Sequence, residues 1–319
     1  MANSAHVRPR RVAVFDLGSN TILLLVLAAD GAVIRDDARI TRLGPGVFES
    51  GELAPDAVRR TREAITDFAR LARAEGVERL VAVGTEALRR ARGGAEFLAG
   101  LVSEGWVDGA RLLSGEEEAE LTVEATRIGV GQRADALAVI DVGGGSTEVA
   151  WRASRSATIR GVSLPLGSVR LTEAHLPRHP IPAEDLAALR ERVWLAGEPL
   201  SRELPRGLPA DAAIVAVAGT ATTLAALELE LATYDGARVE GFELSRARLA
   251  RWIERLAHLG VAERRRLPGL EPGRADVIVA GLVCLEMALL RLRAERFTVS
   301  ERGVRHGVAL RMLAGQKIV

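Results

Sequence analysis

Two stretches of this chain share one layout. RVAVFDLGSNTILLLVLA begins at Arg11, and ALAVIDVGGGSTEVAWRA begins at Ala136. Each runs along an apolar strand to an aspartate, one apolar residue, a glycine, a short polar turn and a second apolar strand. Asp16 and Asp141 stand 125 positions apart, and at that offset Gly18 coincides with Gly143. Such a repeat predicts two related domains, 1–131 and 132–319, each opening with a β-hairpin. A crevice between duplicated α/β domains is a natural ligand site. A last helix, from about Arg305, is expected to fold back on the first domain.

The intervening pattern alternates strands with helices, which predicts an α/β fold. Residues 54–75 read as an amphipathic helix with Val58, Ile65, Phe68, Leu71 and Ala72 on one face, ended by Gly76. Strands are expected at 79–83, 111–113, 212–218 and 296–300. Further helices are expected at about 245–259 and 275–293. A Pro-rich stretch from Pro165 to Pro182 reads as a loop. The run Arg264-Arg265-Arg266 reads as a solvated helix end.

A length of 319 residues suits about two domains. Hydrophobic residues at 48% and charged residues at 27% can build a packed core, which excludes disorder and fibrous classes. The 43 basic and 42 acidic residues nearly cancel, so no broad basic field draws nucleic acid. Aromatics at 3% supply no base-stacking platform. Lys317 is the sole lysine, so almost every basic residue is arginine. That excess fits a coding bias and also fits bidentate phosphate contacts. Cys284, the sole cysteine, lies in an apolar run and reads as a core residue. With no intrachain disulfide and no apolar run near the ~20 residues of a membrane span, a cytoplasmic protein is expected.

Three glycine-bearing turns are candidates for chemistry. In DVGGGSTE, Gly143, Gly144 and Gly145 let the backbone turn its N–H groups onto phosphate oxygens, and Ser146 and Thr147 add hydroxyls. Asp141 can hold a hydrated Mg²⁺ and Glu148 can orient a water. An ordinary glycine-rich hairpin is the simpler reading of this turn, and the matching turn with Gly18, Ser19 and Asn20 weighs against it. The third turn, with Gly219 and Thr220, suits an anion at a helix start or plain capping. In SGEEEAE, Ser114 and Glu117 fit a capping box, whereas Glu118 suits either the helix dipole or general-base work on water. Arg89 and Arg90 read as solvated surface or as a phosphate clamp. The five histidines form no metal set, since Pro177 and Pro180 break the His175/His179 spacing.

The ordered set DLGSNT, GTEALRRA, SGEEEAELT, DVGGGSTEVAW, LPLGSVRLTE, AGTATTLAAL, RADVIVAGL and SERGVRHG resembles the exopolyphosphatase/guanosine pentaphosphate phosphohydrolase family. The resemblance implies two ribonuclease-H-like domains of the actin-like, sugar-kinase and Hsp70 ATPase superfamily, with an interdomain cleft. It implies Mg²⁺-dependent release of terminal phosphate from polyphosphate or guanosine pentaphosphate, with a homodimer common. Glu118 matches the proposed water-activating base. Asp141 and Glu148 match carboxylates tied to Mg²⁺ and catalysis, and Arg89 matches an arginine on the phosphate chain. The glycine-bearing turns match the phosphate loops. The chain departs at Leu23, where the family usually carries Arg or His, and at His306, where an acid is common. It also lacks the helical C-terminal domains of longer members. A binding protein with little turnover is the alternative.

Overall fold

The computed structural model describes residues 10–130, 134–204 and 208–318. The chain divides into two compact units. One runs through Ser114 and resumes at Val304; the other spans Gly115–Gly303. The boundary expected at 131/132 lies outside the described residues, and the division falls earlier because the helix Gly115–Thr126 packs on strands of the second unit.

The first unit holds β1 (Arg11–Leu17), β2 (Thr21–Ala28), β3 (Val33–Ile40), β4 (Arg79–Gly84) and β5 (Gly109–Leu112) in the order β3-β2-β1-β4-β5. β1 pairs antiparallel with β2 and parallel with β4, and β4 pairs parallel with β5. The helix Pro55–Ala74 makes the crossover from β3 to β4. It buries Ala57, Thr61, Ala64, Ile65, Phe68, Ala69 and Ala72, a stripe at helical spacing. Phe68 meets Phe15 of β1 with ring centroids 6.5 Å apart. Leu71, expected on that face, is exposed instead because it falls one position outside the stripe. The final helix, Val304–Leu313, packs on β1 and β2.

The second unit holds β6 (Leu137–Val142), β7 (Thr147–Arg152), β8 (Arg160–Leu164), β9 (Ala213–Val217), β10 (Glu243–Ser245) and β11 (Arg296–Val299), ordered β10-β11-β9-β6-β7-β8. From β8 to β11 this repeats the first sheet, with β10 added at the edge. Three antiparallel strands followed by two parallel ones form the ribonuclease-H-like sheet, present twice, so the duplication read from the hairpins is real. The helix Ile278–Arg291 is buried almost all round and packs against Arg246–Ala257, Ser168–His175 and Ala183–Ala196. Gly281 permits this, since a Cβ there would lie 2.7 Å from Thr220 Oγ1. Cys284 on the same helix is fully buried, and burial pushes its thiol up to about 12, so it is an inert core group.

Two sequence expectations change. The Pro-rich stretch contains the helix Ser168–His175. Arg264 is completely buried rather than solvated: its Nε donates to Leu256 O at 2.7 Å and its Nη1 to Ala275 O at 3.1 Å. Burial pulls that guanidinium down to about 10, with Asp276 opposing. No helix among the described residues is long and apolar enough to cross a membrane.

Candidate active site

Each unit carries one tight hairpin turn beside an acidic strand end. In the first unit, the Gly18 N–H donates to Thr21 O at 3.1 Å and closes the turn. The Ser19 carbonyl accepts from Gly44 N–H at 2.6 Å, and the Asn20 carbonyl accepts from Thr41 and Arg42 N–H at 3.1 and 3.0 Å. With the carbonyls held by residues 41–44, the Ser19 and Asn20 amides donate to no backbone carbonyl among the described residues. The Asn20 side chain is buried, and neither its Nδ2 nor its Oδ1 has a hydrogen-bond partner there. Buried polar groups are rarely left so unless a ligand completes them.

Asp16, the last residue but one of β1, stands opposite Leu23 of β2. Burial pushes its carboxyl from 3.8 up to about 6, with Arg305 pulling the other way. Arg305 itself is buried and forks onto Asp36, Nε to Oδ1 at 3.0 Å and Nη2 to Oδ2 at 2.8 Å. Because the folded protein holds this proton more tightly than the unfolded chain, Asp16 favours folding fully below pH 4. That contribution is lost as pH rises to about 6. Denaturation across this window should show the parent losing stability relative to Asp16→Asn; parallel curves would refute the assignment. Arg89 lies on the short helix Glu86–Arg90. Its Nη2 pairs with Glu86 Oε2 at 2.8 Å and its Nη1 donates to Leu113 O. Arg90 is exposed.

In the second unit, Gly143 N–H donates to Ser146 O at 3.0 Å and closes the glycine turn. The helix Ser168–His175 then takes its carbonyls. Ser168 N–H donates to Gly143 O at 3.0 Å, while Val169 and Arg170 N–H donate to Gly144 O at 2.9 and 3.1 Å. The Gly144, Gly145 and Ser146 amides again donate to no backbone carbonyl among the described residues. Gly167 seals this packing: a Cβ there would sit 2.3 Å from Gly144 O and 2.4 Å from Gly145 C. Since neither atom can yield without moving the loop, Gly167→Ala should cost roughly 1–3 kcal/mol, measured by denaturant unfolding. Parent-like stability would show that the loop is not so held.

Asp141 and Glu148 are direct cross-strand partners on β6 and β7. Two carboxylates so placed repel unless a cation joins them. Ser163 of β8, the next strand, donates its Oγ to Glu148 Oε1 at 2.7 Å. The helix Gly115–Thr126 lies over this group. A Cβ at Gly115 would be 2.6 Å from Ser163 Cβ and 3.8 Å from Glu148 Oε1, and Ala119 sits above Gly161. Gly115, Glu118, Ala119 and Thr122 are spaced i, i+3, i+4 and i+7, so they form the sheet-facing stripe. Glu118 is accordingly 7% exposed, while Glu116 of the same turn is exposed.

The remaining sequence candidates behave differently. Thr147 is fully buried and donates its Oγ1 to Leu166 O at 2.5 Å, and Thr220 is buried with its Oγ1 on Val142 O at 3.1 Å. Both hydroxyls therefore brace the loops. Gly219 follows Ala218, which adopts a φ of 62°, and a Cβ on Gly219 would lie 1.8 Å from Arg274 Nη1. Arg274 is a largely buried cation resting on this turn. Burial lowers its pKa, with Glu271, Tyr234 and Glu301 opposing. Sequence reading missed it, although it lies in the quoted motif RADVIVAGL. Among the described residues no group of three His, Cys, Asp or Glu side chains could hold a metal ion.

A model of the Ppx/GppA phosphatase family matches residues 27–316. The chain belongs to that family. A Mycobacterium tuberculosis protein named exopolyphosphatase 2 is 34% identical, with 96% of this chain and 99% of the relative aligned. The crystal structure of the Aquifex aeolicus Ppx/GppA family member superposes with a TM-score of 0.78 at 30% identity, covering 97% of this chain and all of that one. An exopolyphosphatase-like crystal structure gives a TM-score of 0.86 at 29% identity, covering 94% and 98%. Among Ppx/GppA phosphatases this chain thus has a relative matched almost end to end.

Proposed function

We propose that this chain is a phosphohydrolase that releases terminal phosphate from inorganic polyphosphate, with guanosine pentaphosphate a second substrate of the same anhydride chemistry. The observation that carries this reading is the grouping in the second unit. A buried glutamate, Glu118, shares a helix face with Gly115, which lies over the Asp141/Glu148 pair, and that pair flanks a glycine loop with unused amides. Family membership and the M. tuberculosis relative's name support the choice of substrate.

In this reading the Gly144, Gly145 and Ser146 amides bind phosphate oxygens as fixed dipoles that need no reorganisation. Within the first unit, Ser19, Asn20 and Arg89, with Gly18 closing their turn, bind phosphate. Gly219 and Arg274 do the same from the second unit, and Thr147 and Thr220 keep their loops in shape. Glu118 accepts the proton of the attacking water from its buried place on the sheet-facing stripe. Glu148, oriented by Ser163, positions that water.

Asp141 and Glu148 also fit Mg²⁺, which takes one or two carboxylates and completes its shell with waters and substrate phosphates. Bound there, the ion would neutralise charge developing on the transferred phosphoryl group. The pair's mutual repulsion is the structural reason to expect a cation.

The test is phosphate release by purified protein with Mg²⁺ from short polyphosphate, long polyphosphate and guanosine pentaphosphate, side by side. Release from at least one supports the reading. A second reading, a binding protein with little turnover, draws on Leu23, an apolar residue cross-strand from Asp16. Tight calorimetric binding with no release from any of the three would establish it instead.

A further inference from the structure

Exposed arginines such as Arg59, Arg178 and Arg202 each meet a carboxylate, Glu63, Asp185 and Glu198 in turn. One surface of the second unit departs from that pattern. The helix Arg246–Ala257 buries Leu249, Trp252, Ile253, Leu256 and Ala257, and so turns Arg248, Arg251 and Arg255 to solvent. At i, i+3 and i+7 these three lie along one stripe, roughly 10 Å long at ~1.5 Å per residue. Arg248 pairs with Glu228 at 2.7 Å. Arg251 has no carboxylate partner among the described residues. Arg255 has none either, and its guanidinium lies over the Trp252 ring, 4.7 Å from the centroid.

Two more cations join the stripe at its C-terminal end. Arg264 pins the short helix Val261–Arg264 there, since its buried Nε donates to Leu256 O at 2.7 Å. Arg265 and Arg266, next in the chain, are exposed and have no carboxylate partner among the described residues. The nearby acids are engaged elsewhere: Glu254 pairs with Arg190 at 2.6 Å, and Glu263 accepts the Gly260 N–H at 2.7 Å. The far side of Arg264 leads to the phosphate turns. Its Nη1 donates to Ala275 O at 3.1 Å, and the preceding Arg274 rests on the Gly219 turn. Thr220 of that turn reaches Val142 O, beside Gly143.

We propose that Arg251, Arg255, Arg265 and Arg266 form a docking track for the body of a long polyphosphate chain whose end occupies the glycine turns of this unit. The inference rests on the polyphosphate reading above. A repeating anion suits the track because each guanidinium can fork onto a different phosphate group along the chain. Nucleic acid suits it less: Trp252, the one indole on this helix, is buried with Arg255 over its face, so it offers no platform for a base.

The test compares the parent with Arg251→Gln/Arg255→Gln and with Arg265→Gln/Arg266→Gln, which alter only exposed side chains. Calorimetry in EDTA reads the binding of long-chain polyphosphate and of tripolyphosphate, and phosphate release with Mg²⁺ is measured separately. The parent is expected to bind the long chain at least tenfold more tightly than tripolyphosphate. Each double variant should lose at least fivefold for the long chain and leave tripolyphosphate unmoved. Parent-like long-chain affinity in the folded variants overturns the track. Equal loss for both anions does so too, because the arginines would then serve the terminal phosphates. Loss of binding to a single-stranded oligonucleotide, with polyphosphate binding intact, assigns the surface to nucleic acid and overturns it as well. A parent that releases phosphate yet shows no chain-length preference overturns the track alone. A parent that binds long chains as expected but releases no phosphate overturns the hydrolase reading and upholds the track.

Discussion

Glu118→Gln is expected to release phosphate from long-chain polyphosphate on the order of 10³-fold more slowly than the parent, with KM within about threefold. The amide keeps the size and packing of a side chain that is already buried on the sheet-facing stripe of its helix. What it loses is the capacity to take a proton from water. Substrate binding should survive, because the loop amides proposed to hold phosphate are untouched. Glu116→Gln, one turn position away but exposed, should match the parent. Steady-state phosphate release decides the matter. A Glu118→Gln kcat within tenfold of the parent would remove this residue from the role of base.

Asp141→Asn should move activity and stability in opposite directions. Activity should fall at least about 10²-fold, since the residue proposed to hold the activating cation has lost its charge. Stability without divalent metal should rise, because the variant relieves repulsion between direct cross-strand partners. Such pairs are worth about 0.2–1 kcal/mol. In a unit of this size that corresponds to a gain of roughly 1–3 °C in Tm. Added Mg²⁺ should then stabilise the parent and leave the variant nearly unmoved, as linkage requires of a site only one of them keeps. A variant that is less stable than the parent in EDTA, yet gains equally from Mg²⁺, would place the cation elsewhere.

Much of this architecture is legible in the sequence because hairpins with a glycine turn between two apolar strands leave few alternatives. Both β1–β2 and β6–β7 lie where the repeat places them. β3 escapes notice since it is an edge strand, VIRDDARI, whose charged and half-exposed residues show no apolar alternation. The helix Ser168–His175 is masked by flanking prolines, although its role is to take the carbonyls of the glycine loop. Arg264 looks solvated inside a run of three arginines, and only the chain's return past Ala275 reveals it as a buried brace.

The site follows the same division. Its acids and glycines are readable from motif order, and the register then makes Asp141 face Glu148. Side-chain direction is not readable. Thr147 and Thr220 read as phosphate ligands, and only the structure shows their hydroxyls on Leu166 O and Val142 O. Arg274 and Gly219 are more than 50 positions apart, and their contact depends on how the unit closes. Leu23, by contrast, stands out from sequence alone, and the structure sets it opposite Asp16.

The central claim is that these loops and carboxylates perform hydrolysis rather than binding alone. Orthophosphate release from long-chain polyphosphate by the purified protein, with Mg²⁺ and then with EDTA, tests it most directly. The account predicts steady release over many turnovers with Mg²⁺ and its loss on chelation. Saturable polyphosphate binding without release of orthophosphate under either condition would contradict it.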